Sequence, residues 1–372
     1  MKACAVFPSA HDVRLIDHPE PERLAPTQVL VRILDVGVCG TDREICAFEY
    51  GTPPAGADHL VLGHEALGRV VETGPAVTTL AAGDLVVPMV RRPCPHDHCM
   101  GCTAGRQDFC YTGDFRERGI KEAHGFLTEL VVDEERYFHR VPDELREVGV
   151  LVEPLTIAEK ALRQLWQVQE RLPWACSAAT REGHGSCHRA VVLGAGPVGL
   201  LGAMALKNAG FDTYVYSRTP APNDKAALVE SIGATYVSSE TTTPEQLAEQ
   251  VGNIDVVYEA VGASRVSFDV MRVLGTNGVF VFTGVPGRKA PVEVDTDLLM
   301  RNLVLKNQVV FGTVNAGGET FADAIRDLGA FARRWPDAVR ALITGRHPVE
   351  GYLDLVHGGG RGIKDVIAVA AE

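Results

Sequence analysis

The chain has no apolar run near the roughly twenty residues needed to span a bilayer. Its opening, MKACAVFPSAHDVRLIDHPE, lacks the long apolar core and small-residue cleavage site of a secretory signal. A cytoplasmic protein with no membrane partner is expected. A Lys/Arg-rich tract is also missing. With Lys+Arg 36 against Asp+Glu 48 the net charge is −12, which disfavours a nucleic-acid partner and serves solubility. There is no internal repeat and no low-complexity segment. A complete disulfide framework is disfavoured too, because the 9 cysteines are odd in number. In a reducing compartment, clustered cysteines point to metal instead.

What is present is 372 residues, enough for two domains, with 46% apolar residues to fill their cores. The first half is rich in short alternating runs separated by Gly and Pro. TQVLVRILDVGVCG and LGRVVETG read as strands, and TLAAGDLVVPMV as a turn into a strand. After Pro154 the texture changes. LTIAEKALRQLWQVQE has helical spacing, a loop runs from Leu172 to His188, and apolar strands then alternate with amphipathic helices. That alternation predicts βαβ units and a parallel sheet. ETFADAIRDLGAFARRW reads as a helix and IKDVIAVAAE as a strand, and the last sixty or so residues are expected to return to the first domain. The expected division is 1–155 with 313–372, and 156–312.

Within AVVLGAGPVGLLGAMAL, Gly194, Gly196 and Gly199 form G-x-G-x-x-G between a strand and a helix. Gly194 permits the tight turn, Gly196 lets the backbone approach a pyrophosphate, and Gly199 allows the helix to pack on the strand. The phosphates then sit at the helix N-terminus. The next strand ends YVYSRTP, where NAD binders carry Asp or Glu for the ribose 2′-hydroxyl. Here Ser217 and Arg218 stand instead, with Lys225 nearby, so NADP is preferred over NAD. The alternative is a solvated arginine with NAD accepted through other contacts.

Cys39 in GVCGTD, His64 and Glu65 in GHE, and Glu153 in VEPL together offer thiolate, imidazole and carboxylate, the donor types of a catalytic zinc with an open position. RRPCPHDHCMGCTAGRQDFC holds a second group of soft ligands. Cys176, His184, Cys187 and His188 match no metal spacing and read as a polar connecting loop. Cys4 and Cys46 read as small core residues.

GVCGTD, GHEALGRVVETG, AAGDLVV, the cysteine lobe and VVLGAGPVGLLGAMALKNAG together resemble the zinc-dependent medium-chain alcohol/polyol dehydrogenases over essentially the whole length. VRRPCP, LVEPLTIAEKAL, VYSRTP and LVLKNQVVFGTVNAGG narrow the likeness to the glucose 1-dehydrogenase branch. The resemblance implies an α/β protein, a β-rich GroES-like catalytic domain plus a doubly wound parallel-sheet (Rossmann) cofactor domain. It implies hydride transfer from C1 of an aldose to NADP or NAD, giving an aldonolactone, with two zincs per chain. Cys39, His64 and Glu153 match the catalytic zinc ligands, and Glu65 a carboxylate that can enter or leave the metal's shell. Asp42 matches the carboxylate orienting the histidine. Thr41 matches the hydroxyl that passes on the substrate proton. Cys99, Cys102 and Cys110 fit the usual structural-zinc spacing, with Cys94 favoured as the first ligand and His96 the alternative. Glu117 and Asn315 stand where sugar-binding side chains are expected, their alternatives being a surface carboxylate and a turn asparagine. Ile157 replaces an acidic sugar contact. Pro197, Val198, Gly262, Gly284 and Asn315 complete the cofactor contacts, and a homo-oligomer, dimer or tetramer, is implied. A polyol or secondary-alcohol dehydrogenase is the same-class alternative, and a non-catalytic NADP-binding protein the other.

Overall fold

The computed structural model describes residues 1–21, 24–174, 185–287, 291–358 and 362–370. Two compact units emerge from its internal contacts. One comprises Met1–Thr156, Asn315–Gly329 and Val339–Glu372, and the other Ile157–Val314 and Ala330–Ala338.

The first unit is built on a mixed sheet of seven strands around Gln28–Gly37. Glu65–Thr73 pairs with it antiparallel on one side and Lys364–Ala368 antiparallel on the other. The second half of Gln28–Gly37 is buried on both faces, so its apolar run is nearly continuous rather than alternating. Val31, Ile33, Val36 and Phe126 form part of its core, and full burial of such a side chain contributes roughly 1.5–3 kcal/mol. The register sets Gly37 opposite Glu65, and Val366 opposite Gly37. The short helix α1 (Gly40–Cys46) follows directly. Its first turn is fixed by the Asp42 carboxylate, which accepts the Cys39 N–H at 2.8 Å.

The second unit contains a six-stranded, wholly parallel sheet: β1 (Arg189–Leu193), β2 (Asp212–Ser217), β3 (Thr235–Ser238), β4 (Val256–Glu259), β5 (Val279–Phe282) and β6 (Val309–Gly312). The strand order is β3-β2-β1-β4-β5-β6, a doubly wound topology in which the direction of strand addition reverses between β1 and β4. β1 and β4 are buried along almost their whole length, as strands covered on both faces must be. Helix α2 (Val152–Gln169) begins within the first unit and continues into the second. Helix α3 (Pro197–Asn208) follows β1 and α4 (Thr296–Leu305) precedes β6. The strand over Lys364–Ala368 returns to the first unit's sheet, as the terminal pattern predicted. Among the described residues, no helix is long and apolar enough to cross a membrane.

Candidate active site

Cys39 caps the N-terminus of α1, and His64 lies just before the strand Glu65–Thr73. Pairing of that strand with Gln28–Gly37 brings the two segments together, so the ligand atoms of Cys39, His64 and Glu65 lie within 4.8 Å of one another. Asp42 is fully buried behind them. One of its oxygens holds the Cys39 N–H at 2.8 Å, and the other faces His64 Nδ1 at 3.3 Å. This leaves Nε2 of the imidazole for a metal, the usual division of labour at a zinc-bound histidine. Burial works against a charged His64, but Asp42 and Cys39 outweigh it and raise its proton affinity well above the ordinary value. The same electronegative pocket would hold a cation in that proton's place, and the thiolate, imidazole and carboxylate donors suit zinc.

Glu153 is not in that three-residue set. Its carboxyl is buried, and burial together with the nearby Glu65 carboxylate pushes it up to about 7. Lys364 was not anticipated from sequence. It is buried, forms an ion pair with Glu65 and donates to Val38 O at 3.0 Å. Lys364 and Glu65 reach each other over Gly37, where a Cβ would overlap both side chains. Removing either partner would strand a buried charge, at a cost of about 3–5 kcal/mol. Thr41 is partly exposed in the first turn of α1.

Glu117 is a buried residue, not a surface carboxylate, at 5% exposure. Its Oε1 accepts Arg91 Nε at 3.0 Å and Nη2 at 2.9 Å, and Asn315 Nδ2 at 2.9 Å. Asn315 has a left-handed backbone, φ 59°, so it is also the turn residue foreseen as its alternative. Arg91, missed in the sequence, stacks its guanidinium 3.7 Å from the Phe115 ring centre. Tyr50 is missed as well. It senses Glu117, Arg91 and His64, and burial raises its phenol's proton affinity. An arginine in RRP and a tyrosine in FEYG carry no spacing signal that would single them out.

The sulfurs of Cys94, Cys99, Cys102 and Cys110 lie within 4.8 Å of one another in a separate lobe. Gly101 there permits close approach of the Phe109 carbonyl, which a Cβ would strike. Cys110 is drawn down to about 6, against its own burial, by the Thr112 hydroxyl and neighbouring backbone N–H groups. Cys102 beside it is pushed up to about 12 by burial, so it is the closeness of the four sulfurs that suits a closed zinc site. His96 turns away to the Asp114 carboxylate. Cys4 and Cys46 are buried, free thiols, and burial pushes Cys46 up to about 12. Cys187 is disulfide-bonded, which the polar-loop reading did not foresee. Cys176 and His184 lie outside the described residues.

In the second unit, Gly194 has φ 100°, and a Cβ on Gly199 would overlap the Gly194 carbonyl. Gly196 caps α3 with open space around it, and Pro197 and Val198 begin the helix. Ser217 ends β2, and Arg218 beyond it is 85% exposed, with its Nε 3.8 Å from Glu240. Lys225 is partly exposed in the helix Asp224–Ser231. Gly262 and Gly284 follow β4 and β5.

A family model described as "Glucose dehydrogenase C-terminus" matches residues 146–369, and one described as "Alcohol dehydrogenase GroES-like domain" matches residues 25–143. The chain is 37% identical over 372 residues to a glucose 1-dehydrogenase of Methanocella arvoryzae, covering 100% of both chains. It is 37% identical over 353 residues to that of Thermoproteus tenax, covering 95% of this chain and 94% of the relative. The structure is similar to Haloferax mediterranei glucose dehydrogenase in complex with NADP, Zn and gluconolactone. That likeness has a TM-score of 0.87 at 34% identity, with 100% of each chain covered.

Proposed function

The chain belongs to the glucose dehydrogenase family of zinc-dependent alcohol dehydrogenases, and on that premise we propose that it oxidises a glucose-like aldose at C1 with NADP as preferred acceptor, or NAD. The observation that carries this reading is the pairing of a Cys39–His64–Glu65 ligand set with a buried, polar Arg91–Glu117–Asn315 group in the same unit. A simple secondary alcohol leaves that second group without a purpose, and a non-catalytic NADP-binding protein needs neither set; an aldose and a polyol are separated by the substrate panel below. Residues 1–155 with 313–372 form the catalytic domain and 156–312 the cofactor domain. The division into two compact units supports this except at Ala330–Ala338, which groups with the parallel-sheet unit.

Cys39, His64 and Glu153 hold the catalytic zinc, with Glu65 able to exchange onto it. Bound there, the zinc supplies Lewis acidity that makes the C1 hydroxyl proton easier to lose. Asp42 keeps His64 in its ligating orientation, and Lys364 retains Glu65 when that carboxylate is off the metal. Thr41 accepts the C1 hydroxyl proton and passes it outward. Glu117 and Asn315 bind other sugar hydroxyls. The C1 hydrogen leaves as hydride to the nicotinamide, so the products are aldonolactone, reduced cofactor and one proton. Gly194, Gly196, Pro197, Val198 and Gly199 hold the pyrophosphate, and Ser217, Arg218 and Lys225 the 2′-phosphate. Cys94, Cys99, Cys102 and Cys110 hold a structural zinc.

A homo-oligomer is favoured by the exposed apolar side chains Met300, Val304 and Leu305 on α4, the helix that leads into the edge strand β6. A cytoplasmic location fits the free thiols of the cysteine lobe, while the disulfide at Cys187 runs against it. Initial rates for a panel of aldoses and polyols with NADP and NAD test the reading. Glucose or a close epimer should lead, and a panel headed by sorbitol would refute it.

A further inference from the structure

Glu259 ends β4 and is 1% exposed. Its Oε1 accepts the N–H of Val261 at 2.8 Å and of Gly262 at 2.7 Å. Its Oε2 accepts the N–H of Gly284 at 3.0 Å. Val261 and Gly262 lie in the loop after β4, and Gly284 in the loop after β5. One carboxylate therefore clasps two loops through backbone donors alone. The glycines are part of the clasp. Gly262 has φ 62°, and a Cβ on Gly284 would overlap the Gly262 nitrogen. On its other side the clasped loop meets the phosphate turn: a Cβ on Gly194 would stand 3.3 Å from Val261 Cβ and 3.4 Å from Ala260 O.

In a doubly wound sheet each half takes one mononucleotide at the carboxyl ends of its strands. β1 carries the glycine turn and β2 ends at Ser217, so the adenosine half belongs there. The loops after β4 and β5 are left for the nicotinamide half. Resting on the dinucleotide reading above, we infer that Glu259 is a positioning residue for the nicotinamide half of NADP. It sets the spacing of the two loops that receive that half.

The test is calorimetric titration of the whole chain with NADP, NADPH and the 2′-phosphorylated adenosine fragment of NADP. Glu259→Gln keeps an acceptor for Val261 and Gly262 but turns an amide donor onto the Gly284 N–H. Losing a charged hydrogen bond should weaken NADP and NADPH by about ten- to a hundredfold and leave the fragment within about twofold. Gly284→Ala forces the same loops apart without touching the carboxylate, and the same split is expected. Thr213→Val removes the hydroxyl bond to the Phe211 carbonyl, at 3.2 Å, near the amino end of β2 and so at the opposite end of the parallel strands from both loops, and should change neither ligand. Whole cofactor and fragment weakening together in Glu259→Gln would mean the carboxylate merely supports the sheet, and would overturn the inference. So would wild-type affinity for NADP in that variant. A wild-type chain that binds no dinucleotide would overturn this inference and the proposed function alike, whereas binding by wild type with an unaltered variant defeats the inference alone.

Discussion

Glu117 takes all of its bonds from Arg91 and Asn315 on one oxygen, Oε1. Oε2 takes none of them, so a sugar hydroxyl has an acceptor already aimed and stripped of most of its water. Glu117→Gln should therefore raise KM for aldoses by about ten- to a hundredfold, the worth of a charged hydrogen bond. It should affect kcat less, and steady-state kinetics would show it. The variant also leaves Arg91 buried at 6% exposure without its anion, so a chemical unfolding curve should accompany the kinetics. Arg218 poses the opposite case. It is exposed, and Glu240 competes for it. Arg218→Ala should weaken NADP by about ten- to a hundredfold and NAD by only a few-fold. Glu240→Gln should tighten NADP modestly by freeing the guanidinium. Equal losses for both cofactors in Arg218→Ala would show that the arginine serves the adenine.

At the scale of elements, the N-terminal hairpin of Lys2–Phe7 and Asp12–Asp17 leads into a histidine group. His18, His59 and His124 have ring centres 5.1–6.0 Å apart. Asp58 pairs with His59, while Arg118 and the N-terminal amine add positive charge. Burial, the other histidines and Arg118 lower His124 to about 4, and His18 is lowered for like reasons. His139, stacked on Phe321, falls to about 4 through burial alone. Folding therefore favours the neutral form of His18, His124 and His139, while the unfolded chain takes up protons near the ordinary histidine value of about 6.5. The unfolded state binds more protons between those values, so stability is full above about 6.5 and declines toward about pH 4. Denaturant midpoints measured across that range should fall on acidification, and His139→Phe should flatten the curve. Strands and helices such as Glu65–Thr73 and α2 were legible because burial stamps a period on the residues that form them. Lys364 was not, since a lysine in IKDVIAV reads as a solvated charge. Only the pairing of its strand with Gln28–Gly37 carries it to Glu65. Glu259 was illegible for the same reason, its partners being backbone groups that have no letter in the sequence.

For the whole molecule, two separated ligand sets predict two zincs per chain. Elemental analysis of protein never exposed to chelator should find close to two. Cys102→Ser should remove one and lower the thermal midpoint, because a closed zinc site organises a lobe with little core of its own. Retention of both metals in that variant would break the assignment. Association should depend on α4. Met300→Asp with Val304→Asp should reduce the particle mass in sedimentation to that of a single chain, and an unchanged mass would place the interface elsewhere. The glycine turn and the thiol spacing could be read locally, and they located each site's kind. Which carboxylate stands closest to the metal set, Glu65 or Glu153, could not be read, because it depends on a strand register, Gly37 opposite Glu65, that no local pattern displays.

That register also has a history in time. The sheet that carries Cys39, His64 and Glu65 lacks the strand Lys364–Ala368 until the parallel-sheet unit has been made. A chain emerging from the ribosome thus holds Glu65 for most of its synthesis without the ammonium that neutralises it, beside a second acid in Glu153. The sheet of six parallel strands, by contrast, is complete as soon as β6 is out. The metal-binding half is then encoded first and finished last. Any nascent product released before Lys364 would keep a nucleotide-binding core and an unbalanced pair of acids where chemistry should be, which is the form a quality-control protease would meet.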